Sequence, residues 1–152
     1  MNIYIQPTTN ELRTEVNLKM MGIATDDLNT LHALGWYEYV SQYPDYNKLI
    51  QYLEKDGEPV LQNGQYIQSY KVRYLPEEQI ATLKDKLFTE LRDERNKLLA
   101  DTDYLVLDYP LTEEQLQEVK TYRQALRDLP NRDDAPFWEE IPWPTKPNFL
   151  EG

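Results

Sequence analysis

The sequence predicts an α+β fold: a small Tyr-rich antiparallel β meander, then an α-helical hairpin, then an extended Pro/Trp-rich C-terminal tail. Three observations carry this expectation. Eight of the 12 tyrosines fall between Tyr37 and Tyr74, in short period-two runs broken by turn residues. Residues 76–129 repeat apolar side chains at helical spacing in a charged background. Five of the 10 prolines (Pro130, Pro136, Pro142, Pro144, Pro147) and two of the three tryptophans (Trp138, Trp143) lie in 130–152. The organisation that follows is a mainly β region over 1–75, a helical hairpin with an extended linker over 76–130, and an extended tail over 131–152.

Each element has a local reason. Met1 to Gln6 alternates Ile3 and Ile5 against Asn2 and Tyr4 and stops at Pro7, which reads as a strand. Asn10 to Gly22 shows no clear period. Thr25 to Leu34 reads as a short helix capped by Thr25, with Leu28, Leu31 and Leu34 on one face and Gly35 closing it. Trp36 to Tyr43 alternates aromatics as a strand does. Asn63-Gly64 is the strongest turn, because both residues tolerate positive φ. In the run that follows it, Tyr66, Gln68, Tyr70, Val72 and Tyr74 share a face.

The first long helix opens at Pro76-Glu77-Glu78, where proline suits the first turn and acids suit the helix dipole. Ile80, Leu83, Leu87, Leu91 and Leu98 form its stripe to about Ala100, roughly 37 Å of helix. The second opens at Thr112-Glu113-Glu114-Gln115, a capping-box pattern, aligns Leu116, Val119, Tyr122, Leu126 and Leu129, and ends at Pro130. Between them Tyr104 to Leu107 is apolar and reads as extended. Proline density forbids helix in the tail. Its aromatics dock either on the chain's own body or on a partner.

Composition excludes several function classes. Lys plus Arg total 16 and Asp plus Glu total 27, so the net charge is −11. Such a chain lacks the basic footprint of a nucleic-acid binder and is repelled by anionic membranes. No apolar stretch approaches the length of a membrane span. The cysteine count is zero, which removes disulfides, thiolate metal sites and cysteine nucleophiles, and suits an intracellular protein. His32 is the only histidine, and Ser41 and Ser69 are the only serines, so no Ser-His-Asp triad is indicated. The five isolated glycines form no phosphate loop.

The paired acids Asp26-Asp27, Asp133-Asp134 and Glu139-Glu140 are expected by chance at this acid content. Asp101-Thr102-Asp103 with Asp108 hints at a divalent cation, yet neither glycine nor a distal glutamate completes a calcium loop. Acids that close local turns are the simpler reading. No catalytic residue, no metal site and no cofactor are expected, and the chain reads as a non-enzyme. Tyr66 and Tyr70 on the sheet, and Trp138 and Trp143 in the tail, are the candidate partner-binding residues. They are equally what an amphipathic sheet face or a docked tail would carry.

One segment resembles a known family. Arg95, Leu98, Leu99, Thr102, Asp103 and Tyr104, then Tyr122, Arg123, Leu126, Arg127, Asp128, Leu129 and Pro130, then Trp143, Pro144 and Pro147 follow the order and spacing of the tail assembly chaperone domain of tailed bacteriophages. Tyrosine stands at 104 where the family commonly has tryptophan. The resemblance implies assembly of a phage tail or tail fibre in the host bacterial cytoplasm, with a tail, baseplate or tail-fibre protein as partner and self-association as a further expectation. The alternative it leaves open is a permanent virion component of the tail, baseplate or fibre attachment region. Asp103, Tyr104, Tyr122, Arg123, Arg127 and Asp128 are its motif residues. Arg123 and Arg127, at i and i+4, are expected either to lock the hairpin to its linker through Asp103 and Asp128 or to contact a tail protein.

Overall fold

The computed structural model describes residues 1–107 and 109–151. The chain divides into two compact units. The first is Met1–Tyr46 with Tyr52–Arg73, and the second is Asn47–Gln51 with Tyr74–Gly152.

The first unit is built on strands β1 (Ile3–Gln6), β2 (Glu11–Thr14), β3 (Tyr37–Gln42), β4 (Gln51–Lys55), β5 (Val60–Gln62) and β6 (Gln65–Tyr74), with helices α1 (Glu15–Met20) and α2 (Leu28–Ala33). The sheet order is β2-β1-β3-β6-β4, with β5 also on β6. It is not the simple antiparallel meander expected. β1 is antiparallel to β2 and β3, but β3 runs parallel to β6, with Tyr39 opposite Tyr66. A parallel neighbour requires a crossover, and β4 and β5 lie in the chain between β3 and β6. The Asn63-Gly64 turn forms as expected: both residues have positive φ, at 50° and 77°, and bring Gln62 opposite Gln65.

Thr14 makes the unclear segment intelligible. Its hydroxyl accepts from the Asn17 amide while the Asn17 side chain accepts from the Thr14 amide, a capping box built with Asn that starts α1. The cap of α2 is Asp27, not Thr25; Thr25 instead donates its hydroxyl to Glu15. Tyr4, Leu18, Leu31 and Trp36 form the core, with Ile23 packed against it. Ile3 is exposed while the adjacent Tyr4 and Ile5 are both buried, so the simple alternation does not hold; Tyr4 packs in this cluster. Leu28 and Leu34 are exposed as well; the six-residue α2 buries only Leu31.

The second unit holds α3 (Glu77–Ala100), α4 (Asp103–Leu107) and α5 (Glu113–Asp128), followed by a 3-10 turn at Leu129–Asn131 and an irregular segment that ends in another at Asn148–Leu150. The expected extended linker is a correction. Asp103–Leu107 is helical, with Leu105 turned into the core. Leu91, Val119, Tyr122, Leu126 and Leu129 are buried with it, while the remaining stripe of α3 is only half-buried. α5 begins as predicted. The Thr112 hydroxyl accepts from the Gln115 amide and the Gln115 side-chain oxygen from the Thr112 amide, both at 3.1 Å. Thr112→Ala is expected to cost about 1 kcal/mol, read as a lower urea midpoint with an unchanged slope.

Candidate functional site

Two features of the second unit concentrate chemistry. The first is a polar lock at the end of α3. Arg123, in the middle of α5, is buried. Its Nη1 donates to the Leu99 carbonyl and the Thr102 hydroxyl, and its Nη2 to Asp103 Oδ1, each at 2.7 Å. The Thr102 hydroxyl in turn donates to the Leu99 carbonyl at 3.1 Å, so both its donor and its acceptor capacity are used. A cation thus meets the carbonyl end of α3, where the helix dipole is negative, and Asp103 opens the first turn of α4. The lock ties three helices together through one side chain. Arg127 stays outside it. It is exposed and, among the described residues, forms no ion pair. Asp128 accepts from Gln124 one turn back, not from an arginine. Tyr104 points to solvent and meets Tyr109 edge-on at 5.6 Å.

The second feature is a groove of about 680 Å³ between one face of α5 and the tail. Glu114, Gln117, Glu118, Thr121, Tyr122 and Ala125 supply the helical wall, and residues 144–148 the other. The helical positions recur at three and four, as one face of an α-helix requires. Burial and then the charge of Asp101 push the Tyr122 phenol up, so it stays a neutral hydrogen-bonding group.

The tail docks on its own unit. Pro136 and Pro147 are buried, and Trp138 and Trp143 half-buried. The Asn47 side-chain amide donates to the Phe137 carbonyl at 2.8 Å, and the Lys48 amide to Glu139 at 3.3 Å. Arg132 grips Asp134 through Nε at 3.0 Å and Nη2 at 2.8 Å, and its guanidinium lies 5.5 Å from the centre of the Trp138 ring. The buried Trp138 indole nitrogen forms no well-aligned hydrogen bond. Its N–H still lies close enough to Asp134 to hold that carboxyl below the usual aspartate range, with Arg132 adding to the effect. Neither tryptophan lines the groove; Pro144 and Pro147, which follow both in the chain, do.

In the first unit Tyr66 meets Tyr37 edge-on at 5.3 Å and Tyr70 lies 4.8 Å from Tyr43. Both are half-buried in aromatic pairs rather than displayed together. His32 stacks on Tyr37 at 4.4 Å, in the last turn of α2. Asp27 caps α2, and its carboxyl is held low first by the Thr30 hydroxyl, which donates at 2.6 Å. Glu54 is held low first by Arg73, whose Nε donates to it at 2.7 Å. Asp108, weighed above as a metal ligand, lies outside the described residues. Among the described residues no cluster of three or more His, Asp or Glu side chains is placed to hold a metal ion. No described helix is long and apolar enough to cross a membrane.

Both features fall inside a segment that matches a known family. Residues 88–148 match the phage tail assembly chaperone protein family. The match runs from the second half of α3 through α4 and α5 to Asn148, the last residue of the groove wall. It supports a role in phage tail assembly. No curated protein and no solved structure matches the chain. Of the motif residues read from the sequence, Asp103 and Arg123 meet in the lock and Tyr122 sits in the groove, whereas Tyr104, Arg127 and Asp128 lie apart from both. Thr102 and the Leu99 carbonyl were missed as partners of Arg123. A threonine two residues past the end of the helix stripe was the available signal, since its hydroxyl can satisfy a terminal carbonyl.

Proposed function

We propose that this chain is a non-enzymatic assembly factor that binds a phage tail or tail-fibre subunit in the host cytoplasm before that subunit enters the tail. The observation that carries the reading is the coincidence of the family match with the lock and the whole groove. The lock gives α3, α4 and α5 one fixed arrangement. The groove offers a partly apolar surface on that rigid support, as a site that must recognise a chain segment requires.

The test is calibrated mass spectrometry of infected-cell lysate and of purified particles, together with deletion of the gene. Co-purification with a tail or fibre subunit in lysate, absence of a fixed copy number from particles, and defective tails on deletion are the expected results. A constant stoichiometric amount in particles would instead make the chain a permanent tail component.

A further inference from the structure

The charge of the groove says what kind of segment fits it, and this inference rests on the assembly reading above. Ala125 and Pro144, with the edges of the largely buried Tyr122 and Pro147, give it apolar surface, while Glu114 and Glu118 stand one helical turn apart on its α5 side. No basic residue of α5 lies three or four positions from either carboxylate. Among the described residues neither forms an ion pair, and neither does Lys146 on the opposite wall. Like charges at this spacing repel, so the free protein holds an unfavourable arrangement that a cation between them would relieve. The whole chain carries −11, which disfavours an acidic segment and a second copy of this chain alike.

We propose that the groove docks an extended segment of the partner tail protein in which a lysine or arginine neighbours an apolar side chain. The apolar group covers Tyr122, Ala125 and the two prolines, and the cation sits between Glu114 and Glu118. The volume of about 680 Å³ lies within the range of about 300–1,000 Å³ typical of clefts that take a small ligand.

Fluorescence anisotropy on the full chain tests this with three labelled peptides. Two are decapeptides of identical apolar content, one carrying alternating lysine and arginine and the other glutamate at the same positions; the third is decalysine. The basic apolar peptide is expected to bind, the acidic one not to, and decalysine to bind at least about tenfold more weakly. Glu114→Lys combined with Glu118→Lys is expected to lower affinity by at least about tenfold. Thr121→Trp, which fills the groove from an exposed position, is expected to weaken binding without altering charge. Circular dichroism checks that each variant keeps its fold. Equal binding of the basic and acidic peptides, binding of decalysine as tight as the basic apolar peptide, or undiminished affinity in the folded variants would overturn the proposal. So would dimerisation of the wild type that the charge reversal abolishes, since a second copy would then occupy the groove. Complementation of a phage lacking the gene separates the two readings. Failure of the wild type to restore tails would refute the assembly role. Restoration by a double variant that no longer binds peptide would refute the groove alone.

Discussion

Arg123→Ala is expected to destabilise the helical unit by about 3 kcal/mol, the largest effect of any polar substitution in the chain. The reason lies in what remains behind. The Thr102 hydroxyl is buried, and the Leu99 carbonyl and Asp103 lose a charged donor at 2.7 Å. Hydrogen bonds to charged groups contribute about 1.5–3 kcal/mol each, and buried partners left unpaired bear the desolvation cost. The Asp103 part of the lock contributes little, because its side chain is 58% exposed and water screens it. Asp103→Asn should therefore cost under about 1 kcal/mol. Arg123→Lys keeps the charge but cannot reach three acceptors with a fork geometry, so it should fall between the two. Native-state hydrogen exchange of the α3 and α5 amides measures the loss. Equal effects of Arg123→Ala and Asp103→Asn would show that the exposed ion pair, not the buried carbonyl and hydroxyl, dominates.

Leu31→Ala should cost about 3 kcal/mol in the sheet-bearing unit. Leu31 is fully buried beside Tyr4, Leu18 and Trp36. The cost joins the lost transfer energy of the removed methyls to a cavity that this aromatic-lined cluster can only partly close. Leu28 and Leu34 flank Leu31 at the two ends of α2, at 47% and 50% exposure, and serve as internal controls. Leu28→Ala and Leu34→Ala should stay within about 0.5 kcal/mol. Urea titration followed by the fluorescence of Trp36, with Trp138 and Trp143 replaced by phenylalanine, reports the comparison. Similar losses at all three leucines would mean that the three share a buried face, as their spacing alone suggests.

That contrast shows what one-dimensional pattern can and cannot convey. Leu28, Leu31 and Leu34 have equivalent spacing, yet only one is buried, because a six-residue helix presents a single position to the core. Where the deciding interaction is local, pattern and structure agree. The Thr112–Gln115 capping box, the Asn63-Gly64 turn and the start of α3 at Glu77 depend on residues at most three apart, and all form. The Thr14–Asn17 box is equally local and escaped notice because Asn replaces the usual Glu or Gln.

Arg123 and Asp103 lie 20 residues apart, and their pairing was expected from opposite charge within a recognised motif. Arg127 and Asp128 carried the same charges in the same motif, but α5 turns them to solvent. A helix face is chosen by what packs against it, and charge alone does not choose it.

The boundary between the two kinds of knowledge is thus one of range. Composition and short-range pattern decided that the chain is acidic, mixed α and β, and ended by a segment too proline-rich for helix. They also placed the starts of α3 and α5 and the Asn63-Gly64 turn, since these caps and turns are satisfied by neighbours in the chain. Tertiary packing decided the rest: the parallel pairing of β3 with β6, the helical form of Asp103–Leu107, and the seat of the tail against α5. Each of these joins groups distant in sequence, or uses a burial energy that outweighs local preference, and neither leaves a repeating mark along the chain.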